Sequence, residues 1–300
     1  MSKINPKGIL VAIGGSEDKG IEVEEDASID KGKTFMVSGI LKSITSLISS
    51  NNPRIEVFTT ASAKPELMQE TYKEAFGKLG FKVAGFYHMN SKVDADMMGV
   101  IDQIKKADCI FLTGGDQARL LEINKDSRFL NYLKKLYYNK RIVIAGTSAG
   151  AMVMSDLTIT QNKENGSEGS INIIPGFSFI KNVIIDTHFA SRGRYWRLAE
   201  AVAQNPGCLG IGMDEDTAVS VRDGRLLEVI GSGLVSIIEG RNITSHFSSK
   251  RNSDETLTIE NLVTHILSRG DGFDLYDRKV YVKAYLSQDG ESSWNAKLSH

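Results

Sequence analysis

The stretch Arg141–Met154, RIVIAGTSAGAMVM, sets a serine between two glycines at the end of an apolar run. Ile142–Ala145 predicts a buried strand, Gly146-Thr147-Ser148-Ala149-Gly150 a sharp turn, and the residues after it a helix. This is a G-x-S-x-G pattern in a strand–turn–helix setting, which lifts the serine hydroxyl above the carboxyl end of a sheet. Glycines on either side permit close packing and a strained backbone. The Ala149 N–H, at the positive end of the following helix, would face a developing oxyanion. The chemistry such an arrangement performs is acyl transfer with Ser148 as nucleophile. The competing reading is a glycine-rich turn that only caps a helix.

A second turn of the same form, Thr113-Gly114-Gly115-Asp116-Gln117, follows the apolar run Cys109–Leu112. Loops at the carboxyl ends of parallel strands converge on one crevice, so Gly115 or Asp116 could supply the second oxyanion N–H. A serine needs a base. Of five histidines, His188 stands apart, at the end of the strand-like NVIIDTHF and beside Asp186, Arg192, Arg194 and Arg197. Three arginines in six residues suggest a carboxylate site, because the guanidinium fork binds carboxylates through two bonds. The acid that orients the histidine is left open among Asp156, Glu164, Glu168 and Asp186, all of which lie between Ser148 and His188 in sequence.

These residues need a frame. Short apolar runs at Ile9–Ile13, Ile55–Thr59, Cys109–Thr113 and Ile142–Ala145 suit parallel strands buried on both faces. Helical patterns separate them, at Phe35–Ile48, Pro65–Leu79, Asp94–Lys106, Gln117–Tyr138 and Ala190–Gln204. Alternation of this kind predicts an α/β fold of three layers, a mostly parallel sheet with helices on both faces. The last third turns β-rich. Ala218–Ile238 reads as strands broken by hairpin signals at Asp223-Gly224 and Gly231-Ser232-Gly233. Thr256–Ser268 reads as a helix and Lys279–Ala284 as a final strand. With no linker or repeat, residues 1–300 are expected to form a single α/β hydrolytic domain.

Composition removes several classes of function. The 36 basic and 37 acidic residues nearly cancel, leaving no electrostatic footprint for nucleic acid. No window approaches a membrane span, and no signal peptide is seen at the N-terminus, so a cytoplasmic protein is expected. Cys109 and Cys208 read as buried reduced thiols, too few for a metal site. Gly32-Lys33-Thr34 lacks the glycine and strand of a phosphate loop. The acidic stretch Ile21–Asp30 reads as a solvated loop.

Five ordered motifs then carry a resemblance: Gly14–Lys19 (GGSEDK), Thr113–Gln117, Gly146–Ala151, Asp186–Phe189 with Arg192, Arg194 and Arg197, and Gly210–Ala218 (GIGMDEDTA). In this order the chain resembles cyanophycinases, serine peptidases related to aspartyl dipeptidases, with a fold similar to class I glutamine amidotransferases. The likeness covers about Gly8 to Val282. It implies hydrolysis of cyanophycin, a poly-aspartate carrying arginine on each β-carboxyl, to β-Asp-Arg dipeptides. It implies Ser148 as nucleophile, His188 as base and a triad glutamate at Glu164, with Glu168 the alternative. Gln117, Asp186, Arg192, Arg194 and Arg197 fall on substrate-pocket positions, and Asp186 could face substrate guanidinium groups. Thr187 stands where the family commonly has glutamine, so one substrate contact differs. No metal or organic cofactor is expected. The expected partner is a peptide or polypeptide rich in Asp and Arg, and the expected assembly a homodimer. The rival functions are an aspartyl or isoaspartyl dipeptidase and a non-catalytic ligand-binding member of the same fold.

Overall fold

The apolar run Ile9–Ile13 is buried at every position, and its side chains alternate between two cores. That places it deep inside a sheet covered on both faces. The computed structural model describes residues 5–20, 31–161, 171–246 and 258–282. In chain order the strands are β1 (Ile9–Ile13), β2 (Ile55–Phe58), β3 (Val83–Tyr87), β4 (Cys109–Leu112), β5 (Val143–Thr147), β6 (Leu157–Gln161), β7 (Ile171–Pro175), β8 (Val183–Thr187) and β9 (Leu209–Met213). They continue as β10 (Thr217–Arg222), β11 (Leu226–Gly231), β12 (Val235–Glu239), β13 (Thr244–His246), β14 (Thr258–Glu260), β15 (Val263–Leu267), β16 (Gly272–Asp274) and β17 (Lys279–Tyr281).

The fold is α/β, but the strands divide between two large sheets where the sequence suggests one. The first runs β17-β16-β11-β10-β1-β5-β4-β2-β3. Its β1, β5, β4, β2 and β3 are mutually parallel, and β10 begins an antiparallel flank. The second runs β15-β12-β9-β8-β6-β7, with β6, β8 and β9 parallel. Ile9, Val11 and Ile13 pack with the helices Ile40–Leu47 and Pro65–Lys78. Leu10, Ala12, Ile144 and Leu112 join a second core that extends through the helices Gln117–Asn124 and Arg128–Asn139 to Ile184, Ile185 and Ile211 of the second sheet. The single turn Ala149–Met152 touches β1, β5 and β8, and so lies where the two sheets approach.

Several expectations are corrected. The span read as the helix Thr256–Ser268 forms β14 and β15 instead; β15 adds to the open edge of β12, pairing Leu267 with Val235. Its β-branched residues suit that edge, and Ile266, which would have faced a helical core, is exposed. Asp223-Gly224 does close a hairpin between β10 and β11. Gly231-Ser232-Gly233 does not, because it hands the chain to the other sheet, where β12 pairs with β9. The long pattern Phe35–Ile48 is broken at Gly39, and Asp94–Lys106 splits into Lys92–Ala95 and Met98–Ile104. The helix expected from Ala190 begins at Tyr195. The Ile21–Asp30 loop and the end of the expected final strand lie outside the described residues. Among the described residues no helix is long and apolar enough to cross a membrane.

The pattern Gln117–Tyr138 also breaks in two. Asp126 takes a left-handed φ of 55°, and the buried Ser127 caps the second helix, its side chain accepting the Leu130 N–H at 3.1 Å. Losing such a cap costs about 1 kcal/mol. Ser127→Ala is therefore expected to lower the thermal midpoint by roughly 2–4 °C, read by circular dichroism, with activity unchanged. An unchanged midpoint would remove the cap from the account of this break.

Candidate active site

Ser148 sits where β5 ends and the turn Ala149–Met152 begins, with φ 51° and ψ −113°. A side chain in this region is strained, and it persists only where its surroundings hold it. The glycines of the motif do so by contact. A Cβ on Gly150 would lie 2.3 Å from the Leu112 carbonyl oxygen, and one on Gly146 would lie 2.5 Å from that of Gly150. The serine hydroxyl points at His188, whose Nε2 is 3.0 Å from Oγ.

The second ring nitrogen of His188 meets Glu215 Oε1 at 2.6 Å. The acid facing the histidine is therefore Glu215, in the loop after β9. The resemblance implied Glu164, or else Glu168, at this position; both lie outside the described residues, and among the described residues the Nδ1 partner is Glu215. Glu215 lies outside the sequence interval between Ser148 and His188. β8 and β9 are adjacent and parallel, so the loops at their carboxyl ends meet in space. The signal was present in Gly210–Ala218, where three acidic residues follow a buried strand. The hydrogen bond from His188 holds the Glu215 carboxyl below its ordinary value, opposed by desolvation and helped by Ser191 and Ser16. It stays ionised through the neutral range.

One short segment joins these parts. The carbonyls of Ile13, Gly14 and Gly15 accept the backbone N–H groups of Ser148 (3.0 Å), His188 (2.7 Å) and Asp216 (2.9 Å) in turn. Gly15 has φ 103°, and a Cβ there would lie 2.4 Å from His188 Cε1 and Nε2, so the imidazole rests directly on the glycine. Behind the serine, the buried Glu17 accepts the Thr147 hydroxyl at 2.6 Å and the Tyr72 hydroxyl, while Lys19 lies 3.4 Å away. Burial, and then the charge of Glu17, push the Tyr72 phenol well up, so it remains a donor. Sequence reasoning gave Glu17 no role; its signal was a carboxylate two residues after the tight Gly14-Gly15 turn.

The expected oxyanion donors separate. The Asp116 N–H is taken by the Ala61 carbonyl at 2.9 Å, which removes it. Gly115 and Ala149 have no backbone acceptor for their N–H groups among the described residues. A Cβ on Gly114 would lie 3.9 Å from Ser148 Oγ, so this loop adjoins the nucleophile. Because the turn after Ser148 is only four residues long, any oxyanion stabilisation rests on individual N–H groups, with little help from a helix dipole.

The expected substrate contacts also change. Asp186 is fully buried. Its carboxylate accepts the Thr187 N–H at 2.8 Å, Arg197 Nε at 2.8 Å and Nη2, and Arg194 Nη1 at 3.3 Å. A carboxylate so occupied is not open to a substrate guanidinium. Arg194 also donates to the Thr187 carbonyl at 2.7 Å. Burial, and then repulsion from Arg197 and Arg192, push the Arg194 guanidinium down, and Asp186 opposes them. Arg192 is exposed. Thus two of the three arginines turn inward onto Asp186 and one faces solvent. Gln117 is half-buried and donates its amide to the Ile159 carbonyl at 3.0 Å. Thr187 is fully buried, and its hydroxyl has no partner among the described residues.

Replacing Gly15 by alanine sets a methyl group into the His188 ring at a disallowed φ. Misplacing a catalytic group by about 1 Å can cost on the order of a hundredfold in rate. Gly15→Ala is expected to slow peptide hydrolysis at least that much while far-UV circular dichroism is retained. Hydrolysis within about threefold of the parent would show that the ring is not seated by this contact.

The family model described as Peptidase family S51 matches residues 31–229. A protein named cyanophycinase from Trichormus variabilis is 32% identical over 277 residues, covering 91% of this chain and 88% of that protein. One of the same name from Synechococcus elongatus is 29% identical over 282 residues, covering 93% and 83%. The crystal structure of a peptidase from an acI-B1 Actinobacterium superposes with a TM-score of 0.63 at 20% identity, over 90% of this chain and 98% of that one, which bears on the fold alone. A serine held at a strained strand end against a histidine is thus accompanied by family-wide sequence similarity, and the chain belongs to peptidase family S51, the serine peptidases.

Proposed function

We propose that the protein hydrolyses cyanophycin and releases β-Asp-Arg, with Ser148 as nucleophile, His188 as general base and Glu215 as the orienting acid. The observation that carries the reading is the unbroken hydrogen-bonded line from Ser148 Oγ through the His188 ring to Glu215. In the first step Ser148 Oγ attacks the scissile carbonyl carbon and His188 Nε2 takes its proton. Glu215 accepts the Nδ1–H and stabilises the imidazolium. The Ala149 and Gly115 N–H groups stabilise the oxyanion. The C–N bond then breaks, and the leaving amine receives the proton from His188. Water, activated by the same ring, hydrolyses the ester and restores Ser148. The substrate class rests on the relatives named cyanophycinase, which align with about nine-tenths of the chain.

One observation favours a second reading within the same chemistry. Asp186 is occupied by Arg194 and Arg197, so an acidic partner for substrate arginine is lacking at that position. An aspartyl or isoaspartyl dipeptidase would need no such partner.

Purified cyanophycin, with chromatographic detection of released dipeptide, separates the two. Release of β-Asp-Arg supports the polymer reading; cleavage of short aspartyl peptides with none from the polymer transfers the assignment to the dipeptidase. Ser148→Ala is expected to lose at least about a thousandfold in kcat, and Glu215→Gln on the order of a hundredfold or more. If Glu164→Gln carries the loss while Glu215→Gln does not, the acid is misassigned.

A further inference from the structure

On the side of Ser148 away from His188 lies a second basic group that the mechanism above does not use. Ser148 follows β5, and β5 is flanked by β1 on one side and β4 on the other. The β1 side carries His188, through the Gly14 carbonyl, and Arg192 beyond it. The β4 side carries the loop Gly114–Gln117, which adjoins the serine, and then Arg119 on the first turn of the helix Gln117–Asn124.

Arg119 is held in a specific way. Its Nη2 lies 3.1 Å from His88 Nε2 and 2.9 Å from Asn90 Oδ1. A guanidinium can only donate, so His88 Nε2 is the accepting nitrogen and Nδ1 carries the proton. That proton goes to the Thr59 carbonyl, at 3.0 Å. The loop after β2 is tied in turn to the β4 loop by the Asp116 N–H to Ala61 bond. The carboxyl ends of β2, β3 and β4 are thus stitched into one rim of the crevice, with Arg119 fixed upon it.

The Asp116 carboxylate caps the helix and accepts the Arg119 backbone N–H at 3.4 Å, but it does not pair with the guanidinium. Among the described residues no carboxylate lies within ion-pair distance of the Arg119 guanidinium, whose two contacts are to neutral acceptors through a single nitrogen. Nε and Nη1 have no protein partner there. Arginines elsewhere in the crevice show the contrast, since Arg194 and Arg197 share the buried Asp186. A half-buried guanidinium held in place by neutral groups and left uncompensated is set to receive a carboxylate.

We propose that Arg119, positioned by His88 and Asn90, binds a carboxylate of the substrate chain on the β4 side of Ser148. This inference rests on the reading of a carboxylate-rich polypeptide substrate and deepens it. With Arg192 on the opposite flank, the enzyme grips substrate on both sides of the scissile bond, and so holds more than the unit it releases.

The test is the kinetics of Arg119→Gln on cyanophycin, beside the rate at which a small fluorophosphonate labels Ser148. A charge-assisted hydrogen bond lost from substrate binding corresponds to a KM raised about tenfold. The expected result is that rise, with kcat within about twofold, a labelling rate within about twofold, and a weaker dependence of KM on salt than in the parent. An unchanged KM in a preparation whose parent hydrolyses cyanophycin overturns the subsite. A labelling rate that falls in parallel with hydrolysis also overturns it, because Arg119 would then only prop the Gly114 loop. If the parent itself releases nothing from cyanophycin, the polymer reading fails, and the subsite is judged separately. In that case binding of poly-L-aspartate to Ser148→Ala protein should weaken about tenfold when Arg119→Gln is added; equal binding overturns it.

Discussion

Three consecutive carbonyl oxygens, of Ile13, Gly14 and Gly15, hold the backbones of Ser148, His188 and Asp216, and the geometry of the site depends on them. The residues they anchor come from loops after β5, β8 and β9, which belong to two different sheets. Ser148, His188 and Asp216 all have positive φ without being glycine. Each such residue costs on the order of 1–3 kcal/mol and relaxes unless its surroundings forbid it. Hydrogen bonds to the end of a buried central strand and the two residues that follow it forbid it well, because β1 cannot shift without disturbing both cores.

Placing the anchor on β1 also explains the division into two sheets. A nucleophile and base on neighbouring strands of one flat sheet would project from the same edge, with their side chains side by side. Here the second sheet approaches the first through the short turn Ala149–Met152, which brings His188 over Gly15 and opposite Ser148. The contact needs a residue with no side chain beneath the ring. Glu17, set under Thr147 and Tyr72, braces the same corner from behind, so the serine is held from its own strand, from β1 and from the buried carboxylate.

Much of this was legible in the sequence, for physical reasons that also mark the limit. β1, β2, β4 and β5 are short runs with apolar side chains on both faces, and burial on both faces leaves that imprint whatever surrounds it. Ser148 was legible because the turn that exposes it requires glycines at fixed spacing. Glu215 was not, although its segment stood out, because the partner of a histidine is decided by which strands lie side by side. β14 and β15 were read as a helix because their apolar spacing also fits a helical face; the open edge of β12 decided the matter. The break at Ser127 was a local signal outweighed by a long periodic pattern.

The arginines show how the same limit bears on specificity. Asp186, Arg192, Arg194 and Arg197 stand together in the sequence as charges without assigned partners. The fold pairs two of the cations with one fully buried carboxylate, whose desolvation is offset by the several hydrogen bonds it accepts at close range. That pairing fixes the start of the helix Tyr195–Gln204 against the strand ending at Thr187, one residue before the base. It holds Arg194 and Arg197 on Asp186, next to the backbone that leads into His188. Among the described arginines beside the site, Arg192 is exposed on one flank and the Arg119 guanidinium has no carboxylate partner on the other. The Ser148–His188 pair sits at the junction of the two sheets, whereas the arginines without a carboxylate partner among the described residues, Arg192 and Arg119, lie to either side of it.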